Sequence, residues 1–577
     1  MKNYHSLLLS ALLSVAAPAP ITHAQQAKPL VNAQAADFRI TKIRFFPREG
    51  HAAEMKGGQF AGSLTSATND FATIAEIKDA PAEGQWTELE VAADLVRAYR
   101  FVKYQSRNDI WGDIGEVEFY AGARKLSGTP FGTTGSTEAT NNPPLAFDGD
   151  TQTFFRGTSS FQQYVGIDLG PDSQVAAPAF SIAPGTYPGA QNVSLSDATA
   201  GARIIYSVDA WGRPSLDDKG QPQNGAFYDG KPIAVAKSGI LQAIAVKPGL
   251  ADSTTSLAAF RIGAVSDPTE RAEFHIGNSL TDTINGWMEP LATSGGHKIR
   301  FYRFTIPGAP TDWLWDHPGA GFGETNYQQA FLARAPLTDI ITQPFAGHSR
   351  SIDNEADYSG RFYDAARKHS PNVQPWLYVQ WPSVDFSHDN WAMGKASYNG
   401  KDEKIGEPAK TYQEAIQNHA RYTERVRDEM NRVRSGEIKA GRAKPVRIIP
   451  GGLALAELKT RIEAGKMPGM TDFVAEIFHS PTDFHLNPKG AYLISLVHYA
   501  CLYAENPEGR VTAANSGLTP EQAKLFQQIA WQVASTYPYS GLKAVSEAAS
   551  GKLKIDTKGA TGKTGAAGTA AFPRPIS

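Results

Sequence analysis

A single cysteine, Cys501, stands in 577 residues, so no disulfide can form within the chain. Its neighbours Tyr492, Leu496, Tyr499 and Leu502 recur at helical spacing, which predicts a buried structural thiol rather than a reactive one. A surplus of either charge is also missing: 56 Lys and Arg against 58 Asp and Glu leave a net charge of −2. That excludes the basic excess with which nucleic-acid binders neutralise phosphates. Past the N-terminal region no run is apolar enough to span a bilayer. Metal-ligand spacing is lacking as well. Ten of the thirteen histidines fall between His275 and His498, yet no pair has a spacing such as H-E-x-x-H. Neither a catalytic metal nor another cofactor is predicted.

What is present starts with an address. Lys2, the apolar run Leu7 to Ala17 and Thr22-His23-Ala24 form a charged start, a hydrophobic stretch and a small-residue cleavage site. Residues 1–24 therefore predict a signal peptide cleaved after Ala24, and a secreted or periplasmic protein. An exported chain without disulfides fits a bacterial envelope or medium. The length implies three or four domains at roughly 100–200 residues each. The 53 glycines and 37 prolines suit β-rich, loop-rich structure.

From 36 to 172 short alternating runs are separated by Gly, Asn, Asp and Pro clusters, for example Phe38/Ile40/Ile43, Trp86/Leu89/Val91 and Ile114/Val117/Phe119. This punctuation predicts a β-sandwich. Asp148-Gly149-Asp150 predicts a turn, with carboxylate-bound calcium as the alternative. Trp86 and Trp111 either stack on a sugar ring or pack in the core. The stretches Tyr99–Tyr104, Ile114–Tyr120, Phe147–Thr151 and Val165–Gly170 resemble a discoidin-type (galactose-binding-like) jelly roll. Modules of that kind often bind carbohydrate.

A Gly170-Pro171 break precedes a second alternating unit, 176–264, with Val193–Ser196, Ala202–Asp209 and Leu241–Val246 as its strands. This unit resembles the fibronectin-like C-terminal module of chitobiase-type hexosaminidases. The resemblance implies an accessory module, with a spacer as its default role.

From 268 to 540 strand-like runs alternate with helical ones. The strands are expected over 272–276, 299–304, 337–343, 376–380 and 446–449. Helices are expected over 285–293, 361–369 and 411–434, the last with an apolar stripe at Ala415, His419, Tyr422, Val426, Met430 and Val433. Thr519, Pro520 and Gln522 predict a capped final helix. Five strands alternating with helices imply a parallel, doubly wound sheet, with ligands beyond the C-terminal strand ends. Ser279, in Gly277-Asn278-Ser279-Leu280, follows the first strand. His485 lies late, in His479–Tyr492, before a helix. A serine hydroxyl needs a neighbouring base to become a nucleophile, and an imidazole can serve. The competing readings are a helix-capping serine and a loop histidine.

Serine early and Asp/His late is the chain order of the SGNH (GDSL-type) hydrolases, and these two segments resemble that family's first and last blocks. The resemblance implies a three-layer, flavodoxin-like α/β domain after two all-β sandwiches. It implies Ser279 as nucleophile and His485 as base. The backbone N–H groups of Ser279 and Gly308 would be oxyanion donors. The family's third-block Asn is absent; Gln343 is the substitute and His348 the competitor. The family's acid position is Thr482. Asp483, two residues before the histidine, takes that role, unless a backbone carbonyl orients the ring. Trp313, Trp315, Trp381 and Trp391 either line a sugar cleft or pack in the core. Residues 552–577, rich in Gly, Ala, Thr and Lys, predict a flexible tail. The whole predicts an exported carboxylic ester hydrolase that removes acetyl or similar groups from a polysaccharide. The alternative is a non-catalytic carbohydrate-binding or scaffold protein on a degenerate hydrolase fold.

Overall fold

The computed structural model describes residues 37–135, 141–210, 212–263, 267, 269–345, 351–386, 392, 394–480 and 482–542. The expected signal peptide and tail, His348 and Trp391 lie outside the described residues. The chain divides into two compact units. The first runs to Gln174 and includes Pro248–Ala251; the second holds Val175–Lys247 and the residues from Asp252 onward.

The first unit pairs two antiparallel sheets. One contains Thr87–Glu90, Lys42–Phe46, Glu116–Ala121 and Arg124–Lys125. The other contains Ala72–Glu76, Gln59–Ser63, Phe101–Gln105, Tyr164–Asp168 and Thr129–Gly132. Alternation sends Ile43, Phe45, Val117 and Phe119 inward from one sheet, and Phe60, Val102, Tyr104, Val165 and Ile167 from the other, into one core. Trp86 and Trp111 stay out of it: Arg44 lies over the Trp86 ring, and Trp111 is 38% exposed. Asp148–Asp150 is a turn, with Gly149 at φ +84° and the Asp150 N–H donating to Asp148 Oδ1 at 2.8 Å.

The second unit begins with a five-stranded sheet in the order Gly185–Tyr187, Ser256–Ile262, Gly239–Val246, Arg203–Val208, Ala226–Phe227. Every residue of Gly239–Val246 is buried. The expected spacer is thus no detached bead. Ile240 and Ala259 belong to the same apolar cluster as Phe274, Tyr327 and Phe331 of the following α/β region. Arg334 ties the two together, bonding Asp209 on one side and Glu324 on the other.

In the α/β region the parallel strands are β1 (Glu270–Gly277), β2 (Lys298–Thr305), β3 (Asp339–Thr342), β4 (Gln374–Tyr378) and β5 (Arg447–Ile449). Their order is β2-β1-β3-β4-β5, with Phe322–Gly323 antiparallel at the β2 edge. This is a doubly wound order whose switch point lies between β1 and β3. The helices are α1 (Ser279–Asp282), α2 (Met288–Ser294), α3 (Thr311–Asp316), α4 (Tyr327–Ala333), α5 (Ile352–Arg367), α6 (Tyr412–Val433), α7 (Ser435–Lys439), α8 (Gly451–Glu463), α9 (Phe473–Ile477), α10 (Pro488–Tyr503) and α11 (Pro520–Thr536). Capping boxes start α6, at Thr411 and Glu414, and α11, at Thr519 and Gln522. The α6 stripe is buried from Ala415 to Met430, but Val433 is 62% exposed. The helix ends there, and it is Arg434 that turns inward, to Asp364 at 2.7 Å.

β1 shows why the region is layered. Phe274 and Ile276 face the cluster built on α4 and α5. Glu273 and His275 face the opposite side, fully buried, with the His275 ring 4.9 Å from Phe301 and 5.9 Å from His498 of α10. Burial pushes the Glu273 carboxyl up and the His275 imidazole down, favouring the neutral form of each beneath the sheet's functional end. Cys501 is buried in α10.

Candidate active site

The site is built where β1 stops. A side-chain carbon at Gly277 would run into Thr281 Oγ1 and Gln343 Oε1, so only glycine lets the chain turn this closely. Asn278 then caps α1, its Oδ1 accepting the Leu280 N–H at 3.0 Å. Ser279 becomes the first residue of α1, half-buried at the switch point. Its N–H has no acceptor among the described residues, and neither has that of Gly308. Gly308 follows β2 at φ +68° and is exposed.

The second half of the site arrives on the loop between α9 and α10. A bridge between Phe478 and Leu486 pins its base. Asn487 donates through Nδ2 to the Glu476 carbonyl at 2.8 Å and caps α10 through Oδ1, which accepts from Lys489 and Gly490. The loop tip is held by the buried Trp381, whose Nε1 donates to the Phe484 carbonyl at 2.8 Å.

This scaffold brings His485 to the serine. Its Nε2 lies 2.9 Å from Ser279 Oγ, and its Nδ1 lies 2.7 Å from Asp483 Oδ1. The contacts assign the proton on Nδ1 to the carboxylate and leave Nε2 to accept the serine hydroxyl. The His485 backbone N–H does most to hold the Asp483 carboxyl below the usual value, against an upward pull from burial, and the ring adds a lesser downward pull. The pair is open to solvent, with His485 40% and Asp483 33% exposed at the side chain.

Gln343 is placed at the site but its amide is engaged. Nε2 donates to Asn278 Oδ1 at 3.0 Å and to Gln380 Oε1, while Oε1 accepts from Thr281 Oγ1. Both amide hydrogens therefore hold the serine turn and the β4 end together, and neither is left for an oxyanion. Nearby, Thr305 Oγ1 donates to Asp282 at 2.7 Å and Arg303 pairs with the same carboxylate, tying α1 to β2. Of the tryptophans, Trp313 is 38% exposed and stacks on His317, Trp315 packs against Phe362 and Tyr327, and Trp381 is the loop clamp.

Asn278, Thr281, Gln380 and the clamping role of Trp381 are absent from the sequence-based site. Asn278 and the Asn487-Pro488 pair carried a local signal, that of a capped helix start. The other contacts join residues distant in sequence across strand ends. Among the described residues, one cluster has metal-ligand chemistry, His51, Glu54 and Asp113 of the first unit. There Arg48 and Arg156 already pair with Asp113.

Residues 182–257 match the model of the Chitobiase/beta-hexosaminidase C-terminal domain. None of the curated proteins matches the chain. Among solved structures, a DUF4886 family protein from Bacteroides uniformis ATCC 8492 is 14% identical, with a TM-score of 0.31; the match covers 46% of this chain and 95% of that one. A member of the lipolytic protein G-D-S-L family from Veillonella parvula DSM 2008 is 9% identical, with a TM-score of 0.22, covering 39% and 95%. A carbohydrate esterase family 2 enzyme with its carbohydrate binding domain, from Corynascus thermopiles, is 9% identical, with a TM-score of 0.19, covering 47% and 88%. These likenesses are distant, and the chemistry rests on the site itself.

Proposed function

We propose that the protein is an exported serine esterase that removes acetyl or similar acyl groups from a polysaccharide, with residues 268–540 as an SGNH-type hydrolase domain. One observation carries this reading: the continuous hydrogen-bonded line Ser279–His485–Asp483 at 2.9 and 2.7 Å. Ser279 Oγ attacks the ester carbonyl carbon as His485 Nε2 takes its proton. The negative charge that develops on the carbonyl oxygen is met by the N–H groups of Ser279 and Gly308, which have no acceptor among the described residues. His485 then returns the proton to the departing sugar oxygen, and the acyl group stays on Ser279. Water, deprotonated by the same ring, releases the carboxylic acid. Asp483 keeps the ring in the required tautomer and offsets its charge when it is protonated.

The polysaccharide part of the proposal is supported by the two β-sandwich regions and by the exposure of His485, which leaves room for a polymer. Ser279→Ala is expected to lower acetate release from an acetylated polysaccharide by about 10⁴-fold or more. Fluorophosphonate should label wild-type Ser279 and leave the variant unlabelled. Acetate release by the variant at the wild-type rate would overturn the proposal. The engaged amide of Gln343 favours one competing reading, a binding protein on a degenerate site. That reading expects glycan binding with no turnover and no labelling.

A further inference from the structure

We infer that the outer face of the five-stranded sheet in the first unit binds a carboxylate-bearing polysaccharide, such as a uronic-acid chain. This face lies opposite the core, where alternation normally puts small polar side chains. Here it carries Phe71, Phe101, Phe131 and Tyr164, with ring centroids 6.0 to 6.4 Å apart around Phe131. Phe101 is buried, and the other three rings are half-buried.

In the middle stands Lys103, 4% exposed and with no ion pair or hydrogen bond among the described residues. Its ammonium lies 4.0 Å from the Phe71 ring centre and 4.4 Å from that of Tyr164. The carboxylate opposite Phe101, Asp168, is engaged by Arg100. Gly166 makes the arrangement possible. It pairs with Lys103 on one side and Phe131 on the other, and a side chain there would collide with both. The result is an aromatic platform with a desolvated cation at its centre and no counter-charge among the described residues. A sugar ring offers C–H faces to the rings, and a uronate carboxylate offers the missing charge. Burial alone depresses the Lys103 pKa to about 8, so an approaching carboxylate would also restore its charged form. Gln105, which pairs with Tyr164, stands beside the platform for hydroxyl groups.

This site is separate from Ser279 and does not depend on the esterase proposal. The test uses the full chain with two probes that share one backbone: polygalacturonate, and the same polymer with its carboxylates methyl-esterified. Wild type should be retarded in affinity electrophoresis by polygalacturonate at least tenfold more strongly than by the methyl ester, with retardation falling as salt rises. Lys103→Met and Tyr164→Ala should each lose most of that binding, Lys103→Arg should keep it, and aryl-acetate turnover should stay unchanged in all three. Lys103→Met removes a buried charge without adding bulk, so its melting temperature serves as the folding control. Polygalacturonate binding unaltered in a folded Lys103→Met protein would overturn the inference, as would equal retardation by both polymers.

Discussion

Asp483 Oδ1 receives two hydrogen bonds from one residue: the backbone N–H of His485 at 2.9 Å and its ring Nδ1 at 2.7 Å. A carboxylate that accepts the N–H two residues on is an Asx turn. The turn folds the acid back onto its own histidine, so a separation of two residues does what a longer loop does elsewhere. It also fixes the ring before any substrate arrives.

Asp483→Asn tests the carboxylate without dissolving the turn. The amide oxygen can still accept the backbone N–H, but its NH₂ faces Nδ1 and favours the wrong tautomer. With the pair a third or more exposed, water softens the loss, and kcat for an aryl acetate should fall by about 10²-fold rather than vanish. KM should change little, and circular dichroism should match wild type.

Gln343→Leu separates positioning from direct stabilisation. A group that only holds Asn278 and Gln380 in place should cost about tenfold in kcat, whereas loss of an oxyanion donor costs about 10²–10³-fold. A drop in the larger range would mean the amide turns toward the substrate during the reaction.

Trp381→Phe removes one N–H and keeps most of the buried ring. The Phe484 carbonyl loses its donor, at a cost of about 1–3 kcal/mol in stability. The His485 loop loosens, so kcat should fall several-fold with fluorophosphonate labelling slowed in proportion. Unchanged labelling would show that the loop holds its shape without the clamp.

Arg334→Met should be among the most damaging single changes outside the site. Glu324 is buried, and burial already pushes its carboxyl up against the pull of Arg334. Taking the arginine away leaves that acid without its partner, a loss of about 3–5 kcal/mol, read as a lower denaturant midpoint. An additional Glu324→Gln should recover part of it.

Alkali should act on the first unit through Glu116. Its side chain is fully buried and its Oε1 accepts the Gly149 N–H at 2.9 Å. Burial, then the neighbouring Asp148, raises its pKa from 4.5 to about 8. A raised carboxyl favours the fold while protonated, so its stabilisation is complete below about pH 4.5 and is lost as the pH climbs to about 8. Calorimetry should show the melting of this unit falling between pH 5 and pH 9. Glu116→Gln should flatten that slope.

Periodicity carried much of the fold. The five parallel strands and the long helix α6 lie where spacing puts them, because each buries one face whose period is local. Val433 shows the limit: it continues the stripe in sequence, yet the helix has no more core to cover there. α5 starts at Ile352, nine residues before the expected helix, since Ser351 caps it without a sequence signal and the first turns carry Asp353, Asn354 and Glu355. At the site, Ser279 and His485 were legible because a tight glycine turn and a capped helix frame them. Gln343 was identified by residue type, but its partners Asn278 and Gln380 come from other strand ends. No pattern along one strand can show that an amide is already bonded.

The shared cluster of Ile240, Ala259, Phe274 and Phe331 bears on how the protein can be dissected. A recombinant fragment starting at 268 would bare the side of α4 that Gly239–Val246 covers, and would leave Arg334 without Asp209. Such a piece should aggregate on expression. A fragment starting at 175 keeps the sheet and helix face to face, and is the one to clone.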